Sequence, residues 1–271
     1  MARLPRLYAP RIPQLIQARF AHPLAPPDTP APAAALDRIR AWLAEETGRA
    51  AAGEAGALAL HAWIILPDRI TLLATPGDET APSRLMQALG RRMGSGLMRT
   101  RVYAGRYHNA LLEPGRWVLP AMMWLESLAV SAGQVGAATQ WPWSSAAEHA
   151  GRGGGISGGV GGDLGGNGGS GAANAAGATD ARQAAGALPA AAWPVLTDHP
   201  DYWREGDTPF ARQAAWRSRL AAGLGEAQRQ PIEAALAGQW ALGEKIFLAH
   251  LGRLASRRVS PAPRGRPRKA G

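Results

Sequence analysis

Two polar residues on one predicted strand, Arg69 and Thr71, are the first candidates for chemistry in this sequence. Residues 58–76 form two apolar runs separated by Pro67 and Asp68, a pattern that predicts a β-hairpin at the centre of the core. Because alternate residues of a strand share a face, Arg69 and Thr71 point to the same side. A guanidinium has only donors and a fixed positive charge, so Arg69 can pair with a phosphate but cannot ligate a metal.

Arginines dominate the segment after the hairpin. The pattern over residues 82–98 predicts a helix with an apolar stripe on one side and arginines on the other. Residues 80–112 contain no acid. The six arginines of this segment are Arg84, Arg91, Arg92, Arg99, Arg101 and Arg106. Such a run is often only a solvated helix face. The lack of a neutralising acid favours the other interpretation, a surface that faces the phosphates of DNA.

The overall charge points to the same class of partner. The 271 residues carry a formal net charge of +10, which favours a polyanion, nucleic acid before an acidic membrane. Arginine supplies nearly all of this charge, since the only lysines are Lys245 and Lys269. The absence of cysteine excludes disulfides, a thiol nucleophile and a cysteine-type zinc site.

No targeting or membrane segment is predicted. The basic N-terminal residues 1–14 are interrupted by prolines and lack an apolar signal-peptide core. A run of about 18 apolar residues is also absent. We therefore expect no membrane span and a cytoplasmic location.

The predicted elements mix strands and helices, which indicates an α+β class. The predicted strands cover residues 14–20, the two arms of the hairpin, and residues 102–112. The predicted helices cover residues 33–47, 82–98, 114–130, 208–220 and 240–254.

A change of composition divides the chain. Residues 151–192 are a glycine-rich linker, which we expect to be disordered because it cannot bury enough apolar surface to offset its ordering entropy. The predicted units on either side are an α+β domain over residues 1–150, a helical extension over residues 193–258 and a basic tail over residues 259–271.

Three motifs carry a resemblance to the REP-associated tyrosine transposases, bacterial relatives of the insertion-sequence transposases that cut single-stranded DNA. They are SRLMQALGRR at residues 83–92, GRY at residues 105–107 and WPWSS at residues 141–145. The resemblance covers residues 1–150 and 193–269. It implies a ferredoxin-like core, an antiparallel sheet with helices on one face, together with a small helical C-terminal unit.

The same resemblance implies that the family's chemistry is lost. Its members cleave and rejoin single-stranded DNA beside hairpin-forming repeats, through a 5′-phosphotyrosine and a divalent metal. Arg69 and Thr71 stand where the family has its two metal-binding histidines, and Met93 and Gly96 stand where it has tyrosines. No catalytic residue and no metal are therefore expected.

Two alternatives remain open. In the first, the protein is an active single-strand transposase or nuclease that uses Tyr103 or Tyr107 as a substitute nucleophile with Mg²⁺ or Mn²⁺. In the second, the chain is a decaying transposase product without a selected function. The principal expectation is a DNA-binding protein whose partner is single-stranded or hairpin-forming DNA.

The C-terminal tail adds a second candidate for DNA contact. Its sequence RGRPRK resembles an AT-hook, in which arginines beside a glycine and a proline enter the narrow minor groove of A·T-rich DNA. A basic, disordered tail is the alternative interpretation. The residues predicted to contact DNA here are Arg264, Arg266, Arg268 and Lys269.

Overall fold

The computed structural model describes residues 5–26, 29–52, 57–97, 100–152, 193–255 and 257–261. Most of the predicted linker lies outside the described residues, and so does the predicted AT-hook. The division into four units therefore stays a prediction. The predicted DNA-contacting residues outside the described part are Arg99, Arg264, Arg266, Arg268 and Lys269.

A five-stranded sheet forms the centre of the fold. Its strands are β1 (Gln14–Arg19), β2 (Leu58–Leu66), β3 (Arg69–Pro76), β4 (His108–Leu112) and β5 (Ala241–Leu242). The order across the sheet is β2-β3-β1-β4-β5. The first four strands pair antiparallel, as predicted, whereas β5 adds a parallel pair at the edge of β4.

Helices surround this sheet. They are α1 (Ala33–Ala51), α2 (Ala81–Gly96), α3 (Val118–Glu126), α4 (Leu128–Ser131), α5 (Ala146–His149), α6 (Pro200–Trp203), α7 (Pro209–Ala222), α8 (Glu226–Gly238) and α9 (Lys245–Leu254). The α+β class is thus confirmed. Within the described ranges, no helix combines the length and the apolar character needed to cross a membrane.

The predicted hairpin is present as β2 and β3. Its turn lies at Pro67 and Asp68, and the pairing register shifts once, between Leu60 and Ala62. The adjacent residues Thr71 and Leu72 point to opposite faces, and both are fully buried. Both faces at the centre of the sheet are therefore covered, which explains why the hairpin sequence shows continuous apolar runs rather than an alternation.

The WPWSS segment covers the outer edge of β2. The backbone N–H of Ile65 donates to the Trp143 carbonyl at 2.8 Å, and the N–H of Ser145 donates to the Trp63 carbonyl at 2.9 Å. The indole of Trp141 donates to the Ile65 carbonyl at 2.9 Å. These bonds satisfy backbone groups that an open edge strand would leave available for aggregation.

Three of the C-terminal helices share the central core. Tyr202 of α6, Trp216 of α7, and Ile232 and Leu236 of α8 belong to the same hydrophobic cluster as Trp63 of β2. Helix α8 contacts α3, β1 and β4. Leu251 of α9 lies instead in a second, smaller cluster with residues of the N-terminal segment, β4 and β5. The C-terminal helices are thus present, and their buried side chains pack against the rest of the described chain.

Several boundaries differ from the predicted ones. The helix predicted over residues 240–254 begins at Lys245, because Ala241 and Leu242 form β5, and the helix predicted over residues 33–47 extends to Ala51. The predicted strand over residues 102–112 is regular only from His108 onward. Its first half is a loop held to the end of β1 by Ala21 N–H donating to the Val102 carbonyl and Ala104 N–H donating to the Arg19 carbonyl. The predicted helix over residues 114–130 begins at Val118 and is divided between α3 and α4.

Candidate nucleic-acid interface

A row of polar side chains crosses the three central strands. Thr71 on β3 faces Gln17 on β1, which faces His108 on β4. The Gln17 amide donates to Thr71 Oγ1 at 3.0 Å, and Thr71 is fully buried. The hydroxyl at position 71 therefore has a structural partner and is not presented to a ligand.

Arg69 lies on the same face as Thr71, as predicted, but its guanidinium forms an ion pair with Asp68. Its Nε is 2.9 Å from Asp68 Oδ1, and its Nη2 is 2.8 Å from Asp68 Oδ2. This bidentate pair offsets the positive charge of the Arg69 guanidinium, which a phosphate would otherwise bind. Among the residues that the structure describes, no group of three or more histidines, cysteines or acids could hold a metal ion.

The two positions at which the resemblance led us to look for tyrosines are occupied by Met93 and Gly96, which have no hydroxyl. Met93 on α2 is buried in the core with 1% of its surface exposed. Gly96, the last residue of α2, lies against the ring of Trp42, and a Cβ atom there would come within 2.5 Å of two ring carbons. The Trp42 ring therefore occupies the space that a side chain at position 96 requires.

Introducing a tyrosine at Gly96 is expected to destabilise the protein. Gly96→Tyr should lower the free energy of unfolding by about 1–3 kcal/mol, because the core around Trp42 is overpacked. Urea denaturation measures the change. Gly48→Tyr is the matched control, since Gly48 is also helical and a Cβ atom added to it would have nothing within 4 Å. A smaller effect of Gly96→Tyr in a Trp42→Ala background than in the wild-type background supports the clash, although Trp42→Ala is itself destabilising. An undiminished stability of Gly96→Tyr alone contradicts it.

The two tyrosines near this region are both engaged. Tyr103 donates its hydroxyl to the Met86 carbonyl at 3.1 Å, and burial raises the pKa of the phenol well above its usual range. Tyr107 Oη lies 3.1 Å from Ser83 Oγ, and the guanidinium of Arg6 is 3.6 Å from the centre of the Tyr107 ring. Burial also raises the pKa of Tyr107, against the opposing effects of Ser83 and Arg6. Both phenols are thus held in their protonated form.

An open cavity of about 520 Å³ lies between α2 and the loop over residues 100–107. Its walls include Tyr103 and Tyr107, and no acid is found among the described residues that line it. The arginines that line it are Arg6, Arg91, Arg101 and Arg106. We call this cavity the arginine groove.

Arg91 and Arg101 keep donors available to a ligand in the groove. Arg91 is exposed, and no acid within the described ranges forms an ion pair with it. Arg101 is exposed, and within the described ranges it donates only to backbone, to the carbonyls of Tyr103 at 3.3 Å and Ala104 at 2.6 Å. Burial lowers the pKa of Arg6. Tyr107 acts in the opposite direction, and the positive charge of Arg106 acts in the same direction as burial.

Two other predicted arginines have acidic partners from elsewhere in the chain. Arg84 pairs with Asp78 at 2.6 Å. Arg92 pairs with Glu46 at 3.0 Å and also with Glu45. The arginine run contains no acid of its own, but α1 and the turn before α2 supply the missing carboxylates. The groove therefore gathers Arg91, Arg101 and Arg106 from the predicted set, and it adds Arg6, whose only sequence signal is the basic N-terminal segment.

The comparisons with known proteins are sparse. No protein-family model matches the sequence, and no significant match is found among curated proteins. Among solved structures, the chain is similar to one described as the structure of the REP-associated tyrosine transposase bound to a REP hairpin. The match has 14% sequence identity and a TM-score of 0.46, and it covers 56% of this chain and 87% of that chain.

Proposed function

We propose that this protein binds DNA through the arginine groove, as a transposase-type DNA-binding protein that lacks the tyrosine chemistry. The observation that carries the proposal is the convergence of four arginines, without an acid, on one open cavity beside α2. A guanidinium presents a planar fork of donors that matches the oxygens of a phosphate. Several such forks in one groove suit a backbone that carries a phosphate at every nucleotide.

The shape of the groove suits an exposed strand or a hairpin. Gly105 on its wall has nothing within 4 Å of the position that a Cβ atom would take, so a DNA backbone can approach the loop closely. The predicted AT-hook residues form a second contact in this proposal. Unchanged affinity for A·T-rich DNA after removal of residues 262–271 would contradict the proposed second contact.

Loss of catalysis is the other half of the proposal. It is supported by the ion-paired Arg69, the buried Thr71 and Met93, and the closed space beside Gly96. The test is a denaturing gel of purified protein with end-labelled, hairpin-bearing single-stranded DNA and Mg²⁺ or Mn²⁺. We expect neither cut strand nor covalent adduct. An adduct that Tyr103→Phe or Tyr107→Phe abolishes would establish the alternative of an active enzyme with a substitute nucleophile.

Removing two groove arginines is expected to weaken DNA binding. In Arg91→Gln combined with Arg101→Gln, the affinity should fall about tenfold or more for each lost charge-assisted contact. The slope of log affinity against log salt should become shallower by roughly 0.7–0.9 for each lost phosphate contact. Fluorescence anisotropy with a labelled hairpin oligonucleotide measures both quantities.

The matched control for this pair is Arg116→Gln. Arg116 is exposed, as are the two groove residues, but it pairs with Glu244 and does not line the groove. Its loss should leave the affinity and the salt slope unchanged. Equal losses in the control and the groove variant, or wild-type binding that is insensitive to salt, would contradict the proposal.

A further inference from the structure

A second basic cavity lies on a different part of the molecule. It has a volume of about 580 Å³ and opens between the α3–α4 region, the turn at residues 136–139, and helices α7 and α8. Both the α+β part and the C-terminal helices contribute to its walls. We call it the interhelical pocket. Its volume falls within the range of about 300–1,000 Å³ that is usual for small-molecule sites.

The lining of this pocket combines cations, hydroxyls and apolar surface. Trp124, Leu220 and Leu224 form an apolar wall, and none of the described residues that line the pocket is acidic. The hydroxyl side chains of the lining are Ser127, Ser131 and Thr139. Its charged residues are Arg152, Arg217 and Arg229, which come from three separate segments of the chain. Apolar walls with a few convergent polar groups are typical of a small-ligand site.

The three arginines lack acidic partners. Arg217 donates one Nη1 bond to the Ala150 carbonyl at 2.6 Å, and Arg229 donates from Nη2 to the Leu224 carbonyl at 3.4 Å. In the part of the chain that the structure describes, no ion pair involves Arg152, Arg217 or Arg229. Each guanidinium has five N–H donors, so most of them stay available.

We propose that the interhelical pocket binds a small organic phosphate of about the size of a mononucleotide. The arginines would hold the phosphate, and the apolar wall with Trp124 would contact the base or another flat, apolar body. A phosphate can accept charge-assisted hydrogen bonds from guanidiniums that have no carboxylate partner among the described residues. This site is separate from the arginine groove and does not depend on the function proposed for it.

Isothermal titration calorimetry of the full, DNA-free protein with AMP tests the proposal. We expect AMP to bind and adenosine, which lacks the phosphate, to bind at least about tenfold more weakly. Arg152→Gln and Arg229→Gln should each weaken AMP binding by about tenfold. Ala221→Leu, which fills the pocket without changing its charge, should weaken it as well. Ala221 is exposed on α7, so this change leaves the core intact.

The groove variant Arg91→Gln with Arg101→Gln serves as the control, and it should bind AMP like the wild type. Absence of AMP binding at millimolar concentration, or equal binding of adenosine, overturns the proposal. Loss of AMP binding in the groove variant but not in Arg152→Gln or Arg229→Gln overturns it too, because the anion would then occupy the groove.

If the pocket variants also weaken binding of a short single-stranded oligonucleotide, the phosphate belongs to a DNA strand, and the proposal of a free organic phosphate is overturned. Unchanged oligonucleotide binding assigns the pocket to a free nucleotide.

Discussion

Glu126→Ala is expected to lower the free energy of unfolding by about 3–5 kcal/mol, the cost of removing one partner from a buried charged network. The Glu126 carboxylate is fully buried at the end of α3. It accepts hydrogen bonds from Ser145 Oγ at 2.6 Å, from His149 Nδ1 at 2.5 Å and from Trp216 Nε1 at 2.8 Å. Its loss leaves the buried donors of His149 and Trp216 without their acceptor, whereas Ser145 Oγ can still donate to the Trp63 carbonyl at 3.3 Å.

The Glu126 carboxylate also changes the pKa of His149. Burial alone would lower the pKa of His149, but the charge of Glu126 and the hydrogen bond to it outweigh that effect and raise the pKa. Without Glu126 the imidazole loses the main effect that opposes burial. Glu126→Gln should cost less than Glu126→Ala, since the amide oxygen still accepts one hydrogen bond.

Urea denaturation followed by tryptophan fluorescence measures the loss. Glu226→Ala is the control, because Glu226 is exposed, and its removal should change the stability by about 0.5 kcal/mol or less. A double-mutant cycle of Glu126→Ala with Trp216→Phe isolates the indole contact, and we expect the two effects not to add. A loss for Glu126→Ala no larger than that of the control would show that the network does not stabilise the fold.

The Glu126 network joins segments that are far apart in sequence. It connects α3 to Ser145, beside the edge of β2, and to Trp216 on α7. The interhelical pocket lies between the same helices, α3 and α7. Loosening this network should therefore disturb the pocket before it disturbs the arginine groove, which is built on α2.

The sequence pattern predicted the local elements because their signals are local. The hairpin shows apolar runs broken by a proline, and it was found at its predicted position. The helix after Thr208 begins as its cap predicts, with Thr208 Oγ1 accepting from the N–H of Ala211 at 3.1 Å. Helix α8 was missed because Pro231 interrupts its pattern, although the helix accommodates it.

The features that the sequence did not predict depend on pairing across long distances. The parallel strand β5 is two residues long, and its backbone is held by pairing with β4 and by the bond from the Ala241 N–H to the Val259 carbonyl at 2.8 Å. The carboxylates that neutralise Arg92 belong to α1, more than forty residues earlier in the chain. For the same reason, composition alone could not separate the paired Arg84 and Arg92 from Arg91, which faces the groove.

Acid is expected to destabilise the protein through His61. The Nδ1 atom of His61 donates to the Thr197 carbonyl at 2.6 Å, so Nε2 accepts from Thr75 Oγ1 at 2.8 Å, and the neutral ring is fully bonded. Burial lowers the pKa of His61 to about 4. An unfolded histidine takes up a proton below pH 6.5 or so. The stabilisation is therefore complete above that pH and is lost as the pH falls toward 4.

The size of this effect follows from the two pKa values. At pH 4.5, His61 should account for about 2–3 kcal/mol of lost stability relative to pH 7. Burial also lowers the pKa of His199, whose ring contacts that of His61, so His199 adds a loss of the same sign. His149 acts oppositely, because its raised pKa gives a stabilisation that is present in acid and lost as the pH rises through the folded value.

Urea denaturation of wild type and His61→Gln from pH 7 to pH 4.5 separates the contribution of His61 from the others. A glutamine can donate to the Thr197 carbonyl and accept from Thr75 without titrating, so His61→Gln should lose about 2–3 kcal/mol less than the wild type over this range. His108→Gln, which removes an exposed histidine, should follow the wild-type curve. Identical curves of stability against pH for His61→Gln and wild type would mean that residues 193–199, which include Thr197, do not exclude water from the His61 ring. The packing of the C-terminal segment over β2 would then be looser than the hydrogen bond from His61 to Thr197 requires.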